Sequence, residues 1–391
     1  MYEKCKDLQA ELVRMRRDLH KIPELGLDLP LTQKYVTDKL KEYGIEYKLN
    51  EGDSGVIAYI NRGKPGKIIA LRADMDALPI KEETGVEYCS THEGKMHACG
   101  HDAHTSMLLG AAKILNEHKE NLNGEVRLIF QTCEELAKGA LVMIKNNVME
   151  GVNAIFGTHI GAFTGRRIHS GSFIVCSGIV MASFDRFVIT IKGTCCHGST
   201  PENGIDPINI AAHVVLGLEG IVAREFNAKE PIVITIGRIQ GGAQYNVIPS
   251  TVEIEGTTRA FKEKNRQKMA ERIEEVAKFT AQAFGGEAEF FMDWGAPPLV
   301  NDEEMAEFAG KCAIEVLGEE EVITHVNAPS MGGEDFAFYL EKVPGAFMFL
   351  SSANHEKKTD FQNHSPLFNI DEDVLWRGSA IFVKIVEEFL K

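Results

Sequence analysis

Three histidines and a cysteine stand within nine residues, Met96-His97-Ala98-Cys99-Gly100-His101-Asp102-Ala103-His104. Cys99 and His101 are one residue apart in a glycine-containing loop, so thiolate and imidazole can converge on one small volume. The stretch follows an acidic run, Asp74-Met75-Asp76, and precedes a carboxylate pair, Glu134-Glu135. Thiolate, imidazole and carboxylate are the side chains that bind transition metals. In the carboxylate pair, one acid can face a metal while the other faces a reacting group. The bland alternatives are a buried thiol beside a capping histidine, and a solvated helix start for the two glutamates. Against the second, the apolar stretch 126–130 runs directly into the pair. Taken together, the constellation implies a two-metal hydrolase.

The elements that must position these groups follow from periodicity. Residues 2–21 place Leu8, Leu12, Met15 and Leu19 on one helical stripe, and a second helix is predicted over about 31–43. Residues 56–60 and 68–72 read as buried strands, the second ending at Asp74 and Asp76. Residues 105–117 read as a helix, 126–131 as a strand ending at the glutamate pair, and 154–160 as a strand carrying His159. Alternating strands and helices imply a layered α/β sheet. Its carboxyl ends, where ligands gather, would collect Asp76, Glu135 and His159.

The pattern changes near Met181. Predicted elements at 184–192, 206–225, 231–239, 251–259, 265–284 and 287–291 run βαββαβ, the ferredoxin-like order. After about 295 the chain returns to helix–strand alternation. The expected fold is therefore α/β with two domains: a layered catalytic domain with a mixed sheet (1–182 and 294–391), and an inserted α+β lid or dimerisation domain (183–293).

At 391 residues the chain exceeds one ordinary core. Its net charge of −15, without a long basic run, argues against nucleic acid. No signal-like N-terminus and no run of 18 apolar residues is apparent, so a cytoplasmic protein with no membrane span is expected. The 8 cysteines are dispersed over a large chain, unlike the dense framework of a small secreted domain, and are expected to be mostly reduced.

Motifs along nearly the whole chain resemble the aminoacylase/carboxypeptidase family of co-catalytic metallohydrolases, in its amidohydrolase branch. They are His20-Lys21-Ile22-Pro23-Glu24-Leu25-Gly26, LRADMDALPI, MHACGHDAH, FQTCEE, FGTHIG, CCHGSTP, NVIP, MGGEDFA and HSPLF. The branch contains hippurate hydrolases, N-acyl-amino-acid hydrolases, N-acetyldiaminopimelate deacetylases and auxin-conjugate hydrolases. The resemblance implies two divalent ions per subunit, with Cys99 as bridging thiolate and His101, Glu135, His159 and His364 as the other ligands. Zn, Mn, Co or Ni would suit that donor set.

It further implies that Glu134 is the general base. His197, from the inserted domain of a neighbouring subunit, would polarise the scissile carbonyl. Asn246 and Arg259 would hold the substrate, Gly332 and Gly333 would line its pocket, and Asp74 and Asp76 would orient histidine ligands. The expected partners are a small N-acyl amino acid and a second copy of the chain, as a homodimer through the inserted domain or a higher oligomer. Three positions depart from the family pattern. Cys195-Cys196 replaces a glycine pair, Thr132-Cys133 replaces Pro-Ala, and Gly161-Ala162-Phe163-Thr164-Gly165 replaces a proline-bearing loop. Two other functions fit less well: a dipeptidase or carboxypeptidase, which needs a seat for an α-ammonium, and a non-catalytic metal-binding protein, which has no need of Glu134.

Overall fold

The computed structural model describes residues 1–165, 167–326 and 329–391. It divides into two compact units, one of 1–180, 300–328 and 335–391, the other of 181–299 and 329–334. Residues 294–299 and the short return segment 329–334 thus pack with the inserted unit rather than with the flanking one.

The first unit is built on an eight-stranded mixed sheet. Its order is Glu46–Leu49, Val56–Ile60, Gly124–Gln131, Lys67–Asp74, Ala154–Gly161, Gly345–Ser351, Phe173–Ile174 and Val322–Ile323. The four strands from Gly124–Gln131 to Gly345–Ser351 are mutually parallel. Val56–Ile60 and Gly124–Gln131 are buried at every position, as expected of strands covered on both faces. Asp74 pairs with Gln131 and Gly161 with Ser351, so the carboxyl ends of all four strands lie along one edge.

Helices Gln9–His20, His101–Glu117, Glu303–Leu317 and Leu375–Phe389 share one apolar core with the sheet. A Cβ on Gly110 would meet Leu12 Cδ2 at 2.5 Å and Ser379 Oγ at 2.9 Å, so the absent side chain is what lets these helices approach so closely. The first stripe is shorter than its periodicity predicts. A 3-10 turn, Tyr2–Lys6, precedes the α-helix Gln9–His20. The site helix begins at His101 rather than 105, which places His101 in its first turn.

The second unit has the predicted βαββαβ order. Strands Ser183–Lys192, Ile232–Gly241, Thr251–Ala260 and Glu287–Asp293 form an antiparallel sheet in the order second, third, first, fourth. Helices Pro207–Arg224 and Glu263–Ala283 cover one face through Ile210, Val214, Leu218, Ile221, Ile273 and Ala277. Asp206 caps the first of these by accepting from the Ile208 and Asn209 amides, with Pro207 at the first helical position. By length and mean hydropathy Pro207–Arg224 is apolar enough to cross a membrane, which no 18-residue run in the sequence had suggested. One stripe of it, Ile210, Val214, Leu218 and Ile221, packs against the sheet, while Ile208 and Leu216 on the other side are exposed.

Candidate metal centre

Each group of the predicted site hangs from the strand-end edge. Cys99 lies just before helix His101–Glu117, whose cap residue Gly100 has φ +90°. A Cβ there would meet Ile160 Cγ2 at 2.8 Å and the Ile160 carbonyl oxygen at 3.2 Å. Glycine is required on both counts, and it lets the Cys99–His101 turn press against strand Ala154–Gly161, which carries His159.

The glutamate pair sits in a tight loop after Gln131. Cys133 and Ala137 adopt φ +53° without being glycine. The Lys138 and Gly139 amides donate to the Cys133 carbonyl at 3.2 and 3.1 Å, and the Ala137 amide to that of Glu134 at 2.8 Å. Thr132 Oγ1 ties the loop to Asp53 at 2.7 Å. His364 enters from another loop with φ +69°, its amide held by the Ala98 carbonyl at 2.7 Å.

Donor atoms of Cys99, His101 and His159 lie within 4.8 Å of one another, as do those of Cys99, Glu135 and His364, and those of His101, Glu134 and Glu135. Two ligand sets therefore share the one thiol. Cys99 Sγ is 3.4 Å from His159 Nε2, and His364 Nε2 is 3.3 Å from Glu135 Oε1. The second-sphere bonds fix which imidazole nitrogen is offered. His101 Nδ1 donates to the Asp76 carbonyl at 2.8 Å and His159 Nδ1 to the Ile160 carbonyl at 2.7 Å. Each ring thereby presents an Nε2 lone pair to the cluster.

These residues fit a metal centre. His101 Nε2 is buried with no hydrogen-bond partner among the described residues, a state that proteins avoid unless a ligand completes it. Burial, reinforced by the Glu135 charge, pushes the Cys99 thiol up to about 12. A thiolate there requires a cation as counter-charge. Burial, with His104 alongside, holds His159 well below the ordinary imidazole value. Burial opposes a charge on His101 too, but Asp74 and Asp76 raise it well above that value. For Glu135, burial is outweighed by His364 and His101, and its carboxyl lies low.

His104, three residues on from His101, takes no part as a ligand. Its Nδ1 is 2.6 Å from Asp74 Oδ1, and its Nε2 accepts the Ile160 amide at 2.7 Å, which occupies both nitrogens. Asp74 thus braces His104, and also receives Arg72 Nη1 at 2.7 Å. Asp76 meets His101 through its backbone oxygen, while its carboxylate takes the amides of Glu134 and Glu135 at 3.0 and 3.3 Å. One aspartate therefore positions a histidine and both glutamates. Asn363 is a contact the sequence reading did not anticipate. Its Nδ2 donates to the Cys99 carbonyl at 3.3 Å and lies 3.6 Å from Cys99 Sγ. The only prior signal was its place beside His364.

The remaining predicted residues belong to the second unit. His197 is exposed on the two-residue strand Cys196–His197, paired with Val247–Ile248. Its Nδ1 accepts from Ser199, whose amide is at 3.1 Å and hydroxyl at 2.7 Å. Nε2–H is then the free donor. Asn246 is exposed, and its carbonyl accepts the Gly198 amide at 2.8 Å, joining the His197 turn to the Asn246 loop. Arg259 is half-buried and, among the described residues, hydrogen-bonds through Nη1 alone, to Thr257 Oγ1 and the Thr258 carbonyl. Gly333 leaves no room for a side chain, since a Cβ would lie 1.9 Å from Phe184 Cδ1, and the Gly332 amide donates to Ser330 Oγ.

A family model described as peptidase family M20/M25/M40 matches residues 70–388. The chain belongs to that family. Among its relatives, an N-acetyl-L-cysteine deacetylase of Bacillus subtilis is 38% identical over 98% of this chain and 89% of its own length. A hippurate hydrolase of Campylobacter jejuni is 36% identical over 98% of each chain. A crystal structure of a Bacillus subtilis dinuclear metal binding peptidase of the M20 family superposes with a TM-score of 0.83 at 37% identity, covering 98% of this chain and 99% of that one. The M20/M25/M40 match spans every candidate metal ligand named above.

Proposed function

We propose that this chain is a metal-dependent amidohydrolase that cleaves N-acyl amino acids into a carboxylic acid and a free amino acid. The observation that carries the reading is the close grouping of a buried carboxylate, Glu134, with His101 and Glu135 beside the two ligand sets that share Cys99. The named activities of the deacetylase and hippurate hydrolase relatives support it, because both act on an amide between an acyl group and an amino acid.

Cys99, His101, His159, Glu135 and His364 would hold two divalent ions, which supply Lewis acidity toward the carbonyl and the attacking water. Glu134 takes the proton from that water as its oxygen bonds to the amide carbon. As the C–N bond breaks, the same carboxyl returns the proton to the leaving nitrogen. His197, held by Ser199 as the Nε2–H tautomer, donates to the carbonyl oxygen, where negative charge develops. Arg259, whose Nε and Nη2 make no hydrogen bond among the described residues, takes the α-carboxylate of the amino acid as a two-point partner. The exposure of His197 on its two-residue strand supports a two-fold homodimer in which each copy lends this histidine to the other.

The test is a hydrolysis screen of N-acetyl amino acids, N-benzoyl amino acids and dipeptides on metal-reconstituted protein, run beside Glu134→Gln and Glu135→Gln. Glu134→Gln should abolish turnover with bound metal at the wild-type level, whereas Glu135→Gln should lose metal as well. Equal depletion of both variants by elemental analysis would refute the division of roles.

A further inference from the structure

Arg72 follows the apolar run Ile68–Leu71 within strand Lys67–Asp74, and its guanidinium is buried. It donates from Nε to Gln131 Oε1 at 2.9 Å, from Nη1 to Asp74 at 2.7 Å and from Nη2 to Asp335 Oδ1 at 2.8 Å. Asp335 belongs to the MGGEDFA motif and has no part in the chemistry above. Its carboxylate is inaccessible and fully used. Gln131 Nε2 reaches both oxygens, at 2.9 and 2.8 Å, and the Ala140 amide donates to Oδ2 at 3.0 Å.

Those partners mark the two ends of one loop. Gln131 is the last residue of strand Gly124–Gln131, and Ala140 lies in the first turn of helix Gly139–Lys145. The loop between them carries Glu134, and the backbone amide of Asp335 itself faces Glu134 Oε1 at 3.3 Å. One residue thus pins both ends of the loop with its carboxylate and addresses the base with its amide. Tyr339, one helical turn along, donates its hydroxyl to Gln131 Oε1 at 3.0 Å and fixes the amide orientation that lets Gln131 Nε2 reach Asp335.

We propose that Asp335 is a positioning residue for Glu134. Paired with Arg72, it closes the 132–139 loop so that the Glu134 carboxylate is held at one place and angle. A buried carboxylate with a buried guanidinium partner is expensive to keep in a fold, and an apolar pair would fill the volume as well. What an apolar pair could not do is accept from Gln131 and Ala140 at once. The inference rests on the reading of Glu134 as general base.

Asp335→Asn is the direct test, since it keeps the volume and removes the charge and one acceptor. Per folded, metal-loaded site, kcat should fall about 10–100-fold, as for loss of other outer-sphere groups. KM should stay within about twofold, and metal content should match wild type. Amide exchange across 132–140 should quicken at least tenfold, while that of helix His101–Glu117 is unchanged. If Asp335→Asn does not fold, Tyr339→Phe reports on the same brace, with a smaller loss of about 2–5-fold in kcat and the same local exchange signature. Unchanged exchange across the loop, a loss carried by KM, or a loss that tracks metal content would each overturn the proposal. An active Glu134→Gln would instead refute the base reading, so the two failures are told apart.

Discussion

Replacing Gly100 by alanine separates two reasons for a glycine. At φ +90° an alanine takes on left-handed backbone strain of about 1–2 kcal/mol. Its Cβ would also sit 2.8 Å from Ile160 Cγ2 and 3.2 Å from the Ile160 carbonyl oxygen, the latter part of a central strand that cannot retreat. Overpacking of that kind costs about 1–3 kcal/mol, so Gly100→Ala should destabilise the fold by about 2–5 kcal/mol. Gly94 supplies the control. It has φ +74° and, among the described residues, nothing within 4 Å of its ideal Cβ, so Gly94→Ala should cost only the backbone part, about 1–2 kcal/mol. Urea unfolding of the metal-free proteins gives both values. The difference between them is the contact with strand Ala154–Gly161. Because Cys99 and His101 flank Gly100, the same displacement should weaken metal binding at least tenfold, read by competition with a chelator. Equal destabilisation by the two substitutions, or undiminished metal affinity in Gly100→Ala, would refute the argument that this contact sets the ligand turn.

Two other predictions concern the substrate seat and acid stability. Arg259→Lys removes the planar fork, so KM for acyl amino acids should rise about tenfold or more while their α-amides remain equally poor substrates; an unchanged KM would move carboxylate recognition elsewhere. Burial works against ionisation of Glu82, but hydrogen bonds from His20, the Ser90 amide and Thr84 bring its carboxyl down to about 2. A carboxyl depressed in the fold contributes stability that is complete above its unfolded value of about 4.3 and is lost as pH falls through about 2. The Glu82 side chain is only 5% exposed, and that contribution is at most about 3 kcal/mol. Glu82→Gln should therefore flatten the fall in urea-unfolding stability between about pH 4.5 and 2 and leave its slope above pH 5 unchanged.

The sequence by itself determined the alternation that builds both sheets, because burial on two faces demands continuous apolar runs and burial on one demands period two. It also determined the donor set, since few structural roles bring Cys99, His101 and a Glu134-Glu135 pair to strand ends. Tertiary structure alone decided which histidines can serve. His101 and His104 are near neighbours in one motif, yet Asp74 and the Ile160 amide occupy both nitrogens of His104, while the Asp76 carbonyl leaves His101 Nε2 open. No spacing rule could separate them, because the deciding partners come from other strands. The same holds for Asp335, about 200 residues from the loop it pins. A short-range pattern records what each residue can offer; which offer is taken up depends on the groups that long-range folding places 3 Å away.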